Sequence, residues 1–119
     1  NGDGRWPAPI LSDYVVGRDI VPICRPRDLE GTQALREPAD LLVRPLLFHT
    51  NYPDNWAYWF AAVGVQAPPL RPAADFDQVA MLVQAVIAEL GVAVVQRCLI
   101  EDDLAAGRIV VPFERPVLN

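Results

Sequence analysis

Apolar residues along this chain fall into short runs separated by prolines, glycines and acidic turns. The clearest passage is residues 45–65, PLLFHTNYPDNWAYWFAAVGV. Leu46, Leu47 and Phe48 form a continuous apolar run of strand length, as a strand buried on both faces requires. A polar loop follows, His49-Thr50-Asn51-Tyr52-Pro53, and residues 54–63 then predict a helix closed by Gly64. A strand feeding a helix through a loop with free backbone N–H groups is a place where α/β folds hold ligands, because the helix start favours negative charge. This loop is expected to form one wall of a ligand site.

The flanking pattern extends the series. Residues 1–9, NGDGRWPAP, are turn chemistry, and residues 10–16 read as a short edge strand. Residues 19–24, DIVPIC, are a β-branched run in which Pro22 points to a sheet edge or to a strand crossing between sheets. Residues 28–36 predict a short helix capped by Asp28. Downstream, residues 70–76 read as a strand interrupted by Pro72. Residues 77–90 read as a long, nearly buried helix ended by Gly91, with Asp75 or Asp77 as cap. Residues 92–95 are a buried strand, residues 97–106 a helix with an acidic turn, and residues 108–113 a last strand. Strands alternating with helices predict an α/β fold, a mainly parallel sheet with helices on both faces. The helix at 54–63 has no polar side, so it must be covered on more than one face.

Composition narrows the classes. One domain is expected from 119 residues, and 52% apolar against 21% charged residues predicts a globular chain. No apolar run approaches the length of a membrane-spanning helix. The first residues, Asn1-Gly2-Asp3-Gly4-Arg5, carry neither Met nor an apolar signal core, so no export signal is expected and the chain reads as entered midway. Fifteen acidic residues face ten basic ones, net −5, and the arginines are scattered from Arg5 to Arg115. Without a basic patch the chain itself is not expected to bind nucleic acid. Cys24 and Cys98 lie in apolar segments and are expected as buried free thiols in a reducing compartment, the cytoplasm. One histidine and two cysteines argue against a metal site, no glycine loop cradles a phosphate, and no cofactor is expected.

Five blocks in order, RWP, DIVPICRP, PLLFHT with DNWAYWFAAVGV, DFDQVAMLVQAVIAELGVAVV, and LIEDDLAAGRIVVPF, resemble the effector-binding part of LysR-type transcriptional regulators. The Trp-containing loop and helix are most similar to the branch with glycine-cleavage and β-lactamase regulators. The resemblance covers nearly the whole chain. It implies a fold like half of a periplasmic binding protein, with a small-molecule effector held between two subdomains. It also implies DNA contact only through an N-terminal helix-turn-helix that does not precede Asn1 here, and a homo-oligomeric full-length protein. On this reading residues 1–18 are a tail from the first regulatory subdomain, 19–113 the second, effector-binding subdomain, and 114–119 a return tail. The family's usual Leu-Pro after the buried strand is Val95-Gln96 here.

Carried over by position, His49, Thr50 and Asn51 fall on the effector-side loop, and Phe76, Asp77 and Gln78 face the same cleft. The plainer reading is that Thr50, Asn51 or Asp54 simply caps the first helix, that Phe76-Asp77-Gln78 does the same for the second, and that His49 is a surface residue. Asp54 and Asp77 put negative charge at both helix starts, which favours a zwitterionic or amide-rich effector over a simple anion. Trp56, Trp59 and Phe60 are expected at a dimer interface, against burial within one chain. Two other functions stand beside the regulator reading. One is a stand-alone small-molecule-binding or protein-interaction module. The other is a cysteine-dependent enzyme, disfavoured because neither thiol sits in a nucleophile turn.

Overall fold

In the computed structural model the described residues are 20–113. The expected edge strand at 10–16 and the tails 1–18 and 114–119 lie outside them. The apolar runs become a sheet of four strands, β1 (Ile20–Ile23), β2 (Leu46–His49), β3 (Ala74–Phe76) and β4 (Val92–Gln96), in the order β1-β4-β2-β3. β4, β2 and β3 are parallel and β1 runs antiparallel to β4, so the sheet is mainly parallel as the alternation of elements predicts. Pro22 lies in β1, at the sheet edge, where a missing N–H is tolerated.

Side chains alternate across this sheet with the period of two that a pleat imposes. Ile20, Cys24, Leu46, Phe48, Val92 and Val94 face one side. Val21, Ile23, Leu47, Ala93 and Val95 face the other. Helix α1 (Asn55–Ala62) covers the first side with Trp56, Trp59 and Phe60, and helix α2 (Val79–Ile87) covers the second with Leu82, Val83, Ala85 and Val86. A short helix α3 (Glu101–Ala105) follows β4 and joins the second side through Ile100 and Leu104. Burial of strands on both faces is what their unbroken apolar runs require.

Several expected elements are shorter or different. No helix forms at 28–36. Pro26–Leu29 is a 3₁₀ turn, Gly31 takes a left-handed φ of 84°, and a second 3₁₀ turn, Pro38–Val43, leads into β2. Asp28 does not start a helix; its carboxylate accepts the Arg25 N–H at 3.0 Å and pairs with Arg44 at 2.9 Å. The Asp40 carboxylate accepts the N–H groups of Arg36 and Glu37, which lowers its pKa and pins the second turn. Of residues 70–76 only Ala74–Phe76 pair as a strand. The helix expected at 77–90 spans Val79–Ile87, and Met81 and Leu90 are half exposed. Residues 97–106 split into a 3₁₀ turn and α3, and 108–113 contribute one antiparallel bridge, Val110 to Cys24.

Candidate functional site

The strand connections create a crevice at the carboxyl ends of β2 and β4. β2 leaves the sheet toward the α1 face, whereas its neighbour β4 leaves toward the opposite face, where Ile100 and α3 pack. Adjacent parallel strands that exit to opposite faces part their loops, and open α/β sheets bind ligands in that gap. A cavity of about 30 Å³ lies there, lined by Ile20, His49, Tyr52, Asn55, Val79 and Gln96, with Val94, Val95 and Leu99 completing the wall.

His49 ends β2 and is buried, at 8% exposure the one buried polar side chain among the described residues. Its Nδ1 accepts the backbone N–H of Asn51 at 3.1 Å, so the ring proton resides on Nε2. The ring lies 5.0 Å from that of Tyr52. The Thr50 N–H donates to the Phe76 carbonyl at 2.8 Å, and Phe76 stands opposite His49 in the β2–β3 register. The two loops named from the sequence therefore lie side by side at one sheet edge.

Other expectations change in detail. The loop N–H groups are not free: Thr50 donates to Phe76, Asn51 to His49 Nδ1, and Tyr52 to the His49 carbonyl at 3.0 Å. Asp54 and Gln78 occupy the N-cap positions of α1 and α2, and neither side chain makes a capping hydrogen bond. Thr50, Asn51, Asp77 and Gln78 are exposed around the cavity's loops, whereas Tyr52, Asn55 and Gln96, not singled out from sequence, line it. A signal for Gln96 was present, since it is the first polar residue after the apolar run of β4. Asn55 and Tyr52 had no comparable signal.

Trp56, Trp59 and Phe60, expected at a dimer interface, lie inside the chain at 1%, 0% and 1% exposure. Trp56 stacks on Phe60, Trp59 meets both edge-to-face, and Trp59 meets Phe113 at a ring separation of 6.3 Å. With no surface left, they have nothing to offer a second copy. The outward face of α1 is Ala57, Tyr58, Ala61 and Ala62.

The thiols part company with expectation at one position: Cys24 is buried but Cys98 is exposed. Burial, and secondly the negative charge of Asp28, push the Cys24 thiol up to about 12, partly opposed by Arg44. Such a thiol is a poor nucleophile at neutral pH. Among the described residues no group of His, Cys, Asp and Glu is placed to hold a metal ion, and no helix is long and apolar enough to cross a membrane. A second and larger hollow, about 120 Å³, lies at the amino ends of β2 and β4 between Arg25, Asp28, Arg44, Glu89 and Gly91. Its charges satisfy each other: Arg44 pairs with Asp28, and Arg25 and Arg27 both pair with Glu89. It is away from the strand carboxyl ends, and we read it as a structural ion-pair cluster.

Comparison with known proteins completes the description. The family model for the LysR substrate binding domain matches residues 10–119. The HTH-type transcriptional regulator TrpI of Pseudomonas aeruginosa is 36% identical over 109 residues, covering 91% of this chain and 37% of that protein. The HTH-type transcriptional activator AmpR of Citrobacter koseri is 38% identical over 113 residues, covering 95% of this chain and 38% of that protein. The effector domain of the AmpR regulator of Pseudomonas aeruginosa superposes with a TM-score of 0.73 at 31% identity, over 85% of this chain and 47% of that domain. The chain thus spans less than two fifths of the two regulators' length and just under half of the solved effector domain.

Proposed function

Because the chain belongs to the LysR substrate-binding domain family, we propose that it is the effector-binding lobe of a transcriptional regulator and provides one wall of a small-molecule cleft. The observation that carries this reading is the crevice at the carboxyl ends of β2 and β4, where His49 is held buried at the sheet edge. His49, Thr50 and Asn51 on one loop, with Phe76, Asp77 and Gln78 on its neighbour, face the effector across that edge.

The path of the chain supports a companion lobe on the same side. β1 begins beside Gln96, at the carboxyl edge, and the antiparallel bridge at Val110 turns the chain back toward that edge. Both crossings therefore point where a second wall would stand. Residues 1–18 are on this reading a tail from the first regulatory subdomain, and 114–119 a return tail. On this reading DNA is contacted by a helix-turn-helix elsewhere in the regulator, the regulator is a cytoplasmic homodimer, and this lobe carries no cofactor and no catalysis. The high pKa of the Cys24 thiol supports the last point. If α1 meets a second copy, it does so through Ala57, Tyr58, Ala61 and Ala62 rather than through its tryptophans.

The test is to read the coding sequence upstream of Asn1 and express the longer product. A helix-turn-helix and a first lobe, with promoter binding that changes when small-molecule extracts are added, support the reading. A catalytic domain upstream, or a start codon beside Asn1, overturns it; the latter leaves a stand-alone binding module.

A further inference from the structure

The cavity at His49 has a chemical character that narrows its ligand, and the inference rests on reading this edge as the effector cleft. None of the nine lining residues is an Arg, Lys, Asp or Glu. Five of them, Ile20, Val79, Val94, Val95 and Leu99, are aliphatic. The polar remainder includes the His49 imidazole, the Tyr52 hydroxyl and the Asn55 carboxamide.

His49 is the informative member. Its Nδ1 is engaged by Asn51, which leaves Nε2–H of the neutral ring as a donor with no acceptor among the described residues, on a residue only 8% exposed. A buried donor of this kind costs free energy until a partner arrives. Asn55 opens α1 beside it and offers both an N–H donor and a carbonyl acceptor.

We infer that this cavity takes an uncharged amide or hydroxyl group of the effector, its oxygen accepting from His49 Nε2–H and its own N–H or O–H donating to the Asn55 side-chain oxygen. A carboxylate is disfavoured because no cation lines the wall and Asp54 stands at the start of α1, where it opposes the helix's positive end. An ammonium group is disfavoured because no anion lines the wall either. The volume, about 30 Å³, suits one head group rather than a whole molecule.

The experiment is a two-dimensional NMR titration of this chain with acetamide, acetate and methylammonium, followed at the Asn51 backbone amide and the Asn55 side-chain amide. Acetamide is expected to shift both signals saturably, with acetate and methylammonium at least ~tenfold weaker. Asn55→Ala and His49→Phe are each expected to abolish the acetamide response, and Asn55→Ala, at a partly exposed position, leaves the remaining spectrum in place. Tighter binding of acetate or methylammonium at these signals overturns the uncharged-ligand inference while the crevice stands as a site. Silence from all three probes overturns both the inference and the assignment of this edge to the effector.

Discussion

The indole N–H of Trp56 donates to the Leu47 carbonyl at 3.0 Å, tying the first turn of α1 to the middle of β2. The loop that carries His49, Thr50 and Asn51 is thereby anchored at both ends, by the strand before it and by this bond after it. Trp56 is also stacked on Phe60 with centroids 5.3 Å apart. Trp56→Phe keeps most of the packing but removes the donor, and urea unfolding is expected to show a loss of about 1–2 kcal/mol. Trp56→Ala adds a cavity and is expected to cost about 3–5 kcal/mol. No loss on Trp56→Phe would show that the hydrogen bond contributes nothing, and equal losses for the two variants would show that the packing of the indole adds nothing to it.

A concavity of about 30 Å³ is far smaller than the roughly 300–1,000 Å³ typical of pockets that enclose a ligand. The isolated chain is therefore expected to bind any whole effector weakly, with a Kd in the millimolar range, about 4 kcal/mol of binding free energy. The longer regulator, with both walls, should bind the same compound at least a hundredfold more tightly. Calorimetry on the two proteins checks this, and micromolar binding by the isolated chain would mean that a single lobe suffices.

The two thiols should behave oppositely. Cys98 is exposed and Cys24 is buried with its pKa pushed up to about 12 from an ordinary 9.0. At pH 8, iodoacetamide is expected to modify one thiol per native chain, at Cys98, and the second only after unfolding. The same shift sets a pH dependence. Between about pH 9 and 12 the unfolded chain releases the Cys24 proton while the folded chain keeps it. The unfolded state then binds fewer protons, so stability falls as pH rises through that window. Cys24→Ala is expected to flatten this part of the profile of denaturation midpoint against pH, whereas Cys98→Ala leaves it unchanged.

What the sequence made legible follows from range. β2 and α1 are found within a residue of their expected bounds, because an unbroken apolar run and a terminal glycine act locally. Gly64 does take a left-handed φ of 80° at the end of α1. The helix expected at 28–36 failed because the Asp28 carboxylate is spent on Arg25 and Arg44, and the latter is sixteen residues away. The free N–H groups expected in the His49 loop failed for the same kind of reason, since the Phe76 carbonyl arrives from another strand. Trp56, Trp59 and Phe60 were assigned to a partner because helix periodicity alone cannot say how much of a neighbouring sheet will cover them. The predicted loop is at the cavity, and Gln96 joins it only because β4 pairs beside β2, a long-range contact that local pattern does not show.

The end of α2 divides between two residues a job that the sequence pattern assigned to Gly91. Glu89 holds the left-handed conformation, φ 69°, and the chain closes there with Leu90 N–H on the Ala85 carbonyl at 2.9 Å. A residue with a Cβ pays roughly 1–2 kcal/mol for that backbone. Its ion pairs with Arg25 and Arg27 are half exposed and offset only part of this. Glu89→Gly is therefore expected to raise stability by about 0.5–1 kcal/mol. Gly91 serves a different need. A Cβ there would collide with the Pro45 carbonyl oxygen, the same oxygen that accepts the Val92 N–H at 2.9 Å and sets β4 beside β2. Gly91→Ala must push these strands apart and is expected to cost about 1–3 kcal/mol. Thermal melts of the two variants should move in opposite directions, and a shift in the same direction would show that the helix end and the strand approach are not separable in this way.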